Sequence, residues 1–215
     1  MSVTGGTFGQ PPSASTTNSG SGAFVMGLDE NNKATATIEA GTFVVSSGNS
    51  GGQAGFSVYH HAEVTFGKEE SQDGPTLTGL AAGLVAENAS AASTITIHGG
   101  TFQSTRSSGN SDGIWFSNPR AQLPVNGGTF TGEARAGIYF EKSPSYSWWP
   151  SNGEIPGTRY IDLRGGTFQG EQGGIMASSD KYVGVIIDAR VGENSPGGYY
   201  VIDCYSDINL SLIHI

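Results

Sequence analysis

Apolar and polar residues alternate along short stretches of this chain, as in Ile95 and Ile97 against Thr94, Thr96 and His98, or Ile161 and Leu163 against Asp162 and Arg164. A period of two places successive side chains on opposite faces of a strand. No segment sustains a helical apolar period over about ten residues, so the pattern predicts an all-β chain. The alternating runs are short and end in glycine, which predicts short strands separated by sharp turns.

Two motifs punctuate these runs. Gly-Gly-Thr-Phe stands at Gly5 to Phe8, Gly99 to Phe102, Gly127 to Phe130 and Gly165 to Phe168, with weaker copies at Ala40-Gly41-Thr42-Phe43 and Val64-Thr65-Phe66. A second unit, glycine followed by alternating large apolar residues, stands at Gly55-Phe56-Ser57-Val58, Gly83-Leu84-Val85-Ala86, Gly113-Ile114-Trp115-Phe116, Gly137-Ile138-Tyr139-Phe140 and Gly174-Ile175-Met176-Ala177. Ala23-Phe24-Val25-Met26 and Gly198-Tyr199-Tyr200-Val201 read as outer copies. Their alternation predicts two short strands per repeat in a coil that adds one rung per repeat. The glycine pair supplies a turn residue that tolerates positive φ. It returns Phe inward, so Phe8, Phe43, Phe66, Phe102, Phe130 and Phe168 are expected to stack about 4.8 Å apart as one wall of the core.

This alternation of Gly-Gly-Thr-Phe and Gly-Ile-x-Phe strands resembles the pectin-lyase-like superfamily over nearly all of residues 1–209. The resemblance implies a right-handed parallel β-helix solenoid, here of about six to seven rungs. Within that group the repeats look most like the long repetitive surface proteins of gut-dwelling bacteria. That likeness implies a noncatalytic, adhesin-like segment of a secreted or cell-surface protein that contacts polysaccharide or host glycan. The same coil also carries polysaccharide lyases and glycoside hydrolases, so architecture alone does not choose between binding and catalysis.

Met1 to Phe8 enter a repeat motif directly, with no signal peptide, and Leu210 to Ile215 resemble the translation of a transposon-end adapter used in DNA library preparation. Residues 210–215 are therefore set apart from the solenoid, and the chain is expected to be a fragment, from a metagenomic reading frame, that lacks its flanking domains. Uncovered core at its ends would make it poorly soluble.

Charge narrows the partners. Nineteen carboxylates against ten Lys and Arg give a net charge of −9 and an acidic pI near 4.7. Such a surface repels nucleic acid and anionic membranes, and no apolar run is long enough for membrane insertion as a helix. Cys204 is the single cysteine, so no internal disulfide forms, and its expected role is that of a buried small hydrophobe.

Candidate chemistry is sparse. Asn110-Ser111-Asp112-Gly113-Ile114 is similar to one polygalacturonase stretch, but the Gly-Asp-Asp, Gly-His-Gly and Arg-Ile-Lys signatures of that family are absent. Glu87 and Glu141 fall in one outward column two rungs apart, with Asp112 between them, and Asp112 with Glu141 is the best acid and base pair the chain offers. Their simpler role is as solvated surface charges. Asp162 and Arg164 share one outward face as a surface ion pair. The adjacent His60 and His61 point to opposite faces of a strand and cannot share a metal. No calcium-binding nonapeptide, dinucleotide or phosphate-loop motif is present, so neither a cofactor nor a metal is expected. An ice-binding face is disfavoured because the outward position before each turn reads Glu39, His98, Asn126 and Arg164, a chemically mixed column.

Aromatics give the positive signal. The outward residue of the second motif reads Val25, Ser57, Val85, Trp115, Tyr139 and Met176, making Trp115 and Tyr139 neighbours. The insertion from Ser143 to Pro150 adds Tyr146, Trp148 and Trp149, and these five aromatics are the candidate carbohydrate-binding residues. The competing expectation is that the insertion folds over Trp115 and Tyr139 and buries them as a satellite core.

Overall fold

A computed structural model describes residues 1–10, 20–45, 53–71, 73–86, 93–117, 122–141, 161–177 and 185–187. Tyr146, Trp148, Trp149, Glu87, Cys204, the outer copy at Gly198 to Val201 and residues 210–215 lie outside them. The described residues contain strands and no helix, and they fall into successive tiers. The first tier holds β1 (Ser2–Gln10) and β2 (Ser21–Val25), and the second β3 (Ala34–Val45) and β4 (Ala54–Val58). The third holds β5 (Ala62–Phe66), β6 (Thr76–Gly79) and β7 (Ala82–Ala86), and the fourth β8 (Thr94–Ile97), β9 (Thr101–Ser104) and β10 (Asp112–Phe116). The fifth holds β11 (Leu123–Val125), β12 (Thr129–Gly132) and β13 (Ala136–Phe140), the sixth β14 (Ile161–Leu163), β15 (Thr167–Gly170) and β16 (Gly173–Ala177), and β17 (Val185–Ile187) opens a seventh.

Each strand pairs in parallel with its equivalents in the tiers before and after it. One sheet runs β2-β4-β7-β10-β13-β16, and the other β15-β12-β9-β6-β3-β5-β8-β11-β14-β17, with β1 also on β3. The long β3 joins two ladders that separate strands supply in later tiers. The all-β, parallel arrangement is consistent with a β-solenoid. From the third tier to the sixth it has three strand segments per tier, where the alternating motifs predicted two, because there the run before the turn and the strand after it are separate; in β1 and β3 the two are one continuous strand.

The turn between them behaves as the glycine pair predicts. The second glycine of the unit takes positive φ at Gly6, Gly41, Gly100, Gly128 and Gly166, all between 106° and 116°. A side chain there would be strained, which is why the position is glycine. The glycine of the second motif has a different cause. A Cβ on Gly83 would lie 2.4 Å from the Gln103 amide nitrogen, 2.8 Å from Phe102 C and 2.9 Å from Gly113 O. Here the two sheets approach so closely that only a hydrogen fits between backbones.

The phenylalanine column forms with one exchange. Register places Phe8, Phe43, Leu77, Phe102, Phe130 and Phe168 side by side, while Phe66 pairs with Ile38 and Ile97 on the neighbouring ladder. Pro75-Thr76-Leu77, not Val64-Thr65-Phe66, is the third copy of the turn and strand. The smaller Leu77 leaves room that aromatic rings fill from the sides. Phe8 stacks on Phe43 at 4.8 Å, then Phe43, Phe56, Phe66 and Phe102 meet edge to face at 5.2–5.6 Å, and Phe102, Phe130 and Phe168 stack again at 5.0 Å. The chain of rings is continuous; Phe8 at its open end is 38% exposed rather than enclosed in the core, and burying each of the others contributes roughly 2–3 kcal/mol.

A second correction concerns the outward column of the other sheet. Ser57 pairs with Phe24, and Val25 pairs with the core residue Val58. The column therefore reads Phe24, Ser57, Val85, Trp115, Tyr139 and Met176, because the first copy starts at Gly22 and a slip of one residue reverses every face. Phe24 is 63% exposed and Val25 only 8%.

Gly83→Ala is expected to destabilise the chain by about 3 kcal/mol in urea unfolding, since backbone must move to admit the methyl. Gly5→Ala, where nothing lies within 4 Å, should change stability by less than about 0.5 kcal/mol.

Candidate functional site

The outward face of the β7, β10 and β13 ladder carries the candidate residues. Trp115 and Tyr139 are directly paired across β10 and β13, each half-buried. Trp115 also packs against a small cluster of Ala54, Ala82 and Val85 that is separate from the main core. These contacts come from strand side chains; the insertion expected to fold over the pair, residues 143–150, lies outside the described residues.

Arg135, just before β13, organises the site. Its guanidinium lies 3.5 Å from the Tyr139 ring centroid and 5.8 Å from that of Trp115. Nε donates to Asp112 Oδ1 at 2.8 Å, Nη2 donates to Asp112 Oδ2, and Nη1 donates to Asn110 Oδ1 at 2.9 Å. The fork of the guanidinium matches a carboxylate in two bonds, and its plane lies on an aromatic face, a combination lysine cannot supply. One ring face of Tyr139 is consequently occupied by a cation. Glu141, at the end of β13, accepts a hydrogen bond from Trp115 Nε1 at 2.5 Å.

The sequence brings Asp112 and Glu141 to the same face, and the structure gives each a partner. Asp112 is fully buried. Burial pushes its carboxyl up to about 6, and the nearby Glu141 charge acts in the same direction, against the opposing effects of Arg135 and the Ala136 amide. The other polar members of the polygalacturonase-like stretch are also engaged. Ser111 Oγ donates to Arg106 O at 2.6 Å, receives the Ala134 amide at 3.1 Å and lies 2.8 Å from Ser104 Oγ. Asn110, Ser111 and Asp112 together tie one tier to the next.

Other sequence candidates separate. His60 and His61 sit in the turn between β4 and β5 rather than on a strand, with His61 at φ 50° and the rings edge to face at 5.8 Å. Among the described residues no group of three or more His, Cys, Asp or Glu could hold a metal ion. No described helix is long and apolar enough to cross a membrane. His98 and Asn126 do fall in one column, joined by a hydrogen bond of 3.1 Å between Asn126 Nδ2 and His98 Nδ1. The side chain of Asp162 lies outside the described residues. Arg135 is the residue that sequence reasoning missed. Its signal was a cation two positions before Gly137, one tier after the acid that precedes Gly113.

No protein-family model, curated protein or solved structure matches this chain.

Asp112 makes the stability of the fold depend on pH with a definite sign. Between its ordinary value near 3.8 and about 6, the folded chain holds a proton that the unfolded chain has lost. Stability from this group therefore falls as pH rises through that window, by about 3 kcal/mol in total. The difference in unfolding free energy between the parent chain and Asp112→Asn, followed by urea titration at unit steps from about pH 3 to about pH 8, is expected to shift by that amount and level off at both ends.

Proposed function

We propose that the chain is a noncatalytic segment of a right-handed parallel β-helix of the pectin-lyase-like kind, in a secreted or cell-surface protein that contacts polysaccharide or host glycan. The observation that carries this reading is the half-exposed pair of Trp115 and Tyr139, held in register on rigid strands. Aromatic faces beside hydrogen-bonding groups suit sugar rings, and strand placement keeps the ordering entropy of binding low. Arg135 on one face of Tyr139 leaves Trp115 as the main stacking surface of the pair. The noncatalytic part rests on the two carboxylates, since an acid or base must reach the scissile bond. Asp112 is covered and held by Arg135, and Glu141 accepts from Trp115.

One observation favours the second reading, a polysaccharide lyase or glycoside hydrolase. A carboxyl pushed up to about 6 beside a second carboxylate has the character of a general acid. It would require Arg135 to swing away from Asp112 when substrate binds.

Incubation with pectic and neutral polysaccharides, with and without Ca²⁺, separates the readings by product size in mass spectrometry. The proposal expects unchanged polymers and binding that weakens about tenfold in Trp115→Ala. Short oligosaccharides that vanish in Asp112→Asn or Glu141→Gln would make the chain an enzyme.

A further inference from the structure

A different face, formed by β6, β9, β12 and β15 with the second halves of β1 and β3, carries a regular hydroxyl array. Parallel register puts Thr7, Thr42, Thr76, Thr101, Thr129 and Thr167 in one uninterrupted column. None of these six hydroxyls has a hydrogen-bond partner among the described residues, and each threonine is partly or fully exposed. The next outward column mixes Gly9 and Val44 with Thr78, Gln103, Thr131 and Gln169, and Gln103 Nε2 donates to Thr78 Oγ1 at 3.0 Å.

Neither column contains a charge, although the chain carries −9 overall. Threonine is at home on a strand, but about a quarter to a third of a soluble protein's surface positions are charged, and none of these twelve is. A charge-free face on an acidic protein is complementary to a neutral partner, and the surrounding charge repels acidic polymers. The hydroxyls repeat at the strand spacing of about 4.8 Å, so the partner that uses them all has hydroxyls recurring along its own length. Threonine is β-branched and stiff at χ1, so the array is ordered before binding. Ice would need both columns flat and uniform, and Gly9, Val44 and the glutamines break the second.

We propose that this face is a contact line for a neutral, extended polysaccharide of the linear β-linked glucan class, lying along the stacking direction. The inference deepens the carbohydrate reading above by naming a polymer class and a second face. It uses neither Trp115 nor Tyr139, so the two can fail separately.

Affinity electrophoresis of the whole chain in gels containing hydroxyethyl cellulose or polygalacturonate tests it. Retardation by the neutral glucan alone is expected. It should weaken about tenfold in the double variant Thr101→Val, Thr129→Val, which keeps shape and strand propensity but removes two hydroxyls. Thr129→Lys, which places a charge on the face and leaves the core untouched, is the second variant and should weaken retardation likewise. Parent-like retardation of both threonine variants with loss in Trp115→Ala would overturn the threonine face and leave the aromatic reading standing. No retardation by the neutral glucan, retardation by polygalacturonate alone, or shaping of ice crystals without glucan binding would each overturn it.

Discussion

Parallel pairing in register is the constraint on which the rest of this molecule depends. When each strand lies beside its equivalent in the tiers before and after it, a residue type repeated in sequence becomes a column in space. Phenylalanines become a stack of rings, threonines a line of hydroxyls and glycines a seam where two backbones meet. The seam is the least forgiving of these. At Gly83 and its equivalents the sheets approach within the radius of a methyl group, so the aromatic core can close only because those positions lack a side chain.

Much of this was legible beforehand, because period-two alternation and the Gly-Gly-Thr-Phe unit depend on local chemistry that repeats. The turn glycines at Gly100, Gly128 and Gly166 needed no tertiary information. What failed was alignment where a repeat departs from the motif. In the third tier the strand after the turn carries Leu77 instead of phenylalanine, and Phe66 eleven residues earlier resembled the missing ring. The core accepts either placement by volume, so composition could not choose, and register did. The one-residue slip at Phe24 arose similarly, since Gly22-Ala23-Phe24-Val25 offers apolar residues on both faces.

The candidate site was half legible. Period-two counting on β10 and β13 brought Trp115 beside Tyr139 and set Glu141 near them. Arg135 escaped because it lies just outside a strand and acts across tiers, on Asp112 in the preceding one. Its presence changes the chemistry of the face. A carboxylate that looked like a candidate acid is half of a buried ion pair, and breaking such a pair strands an uncompensated charge. Fully paired, Asp112, Asn110 and Arg135 stitch two tiers and fix the Tyr139 ring. The same side chains that would make an enzyme thus serve to hold the outer face rigid, which suits a surface that presents groups at fixed spacing.

Register in the third tier tests this architecture most directly. In a Cys204→Ser background, cysteine pairs introduced at Thr76 and Thr101, or at Thr65 and Thr101, report which strand lies beside β9, because a disulfide closes only when Cα atoms are within about 7 Å. Rapid oxidation is expected for the 76 and 101 pair, which is directly in register, and none within the monomer for 65 and 101. Preferential closure of the 65 and 101 pair would contradict the register from which the columns, the seam and the site are all built.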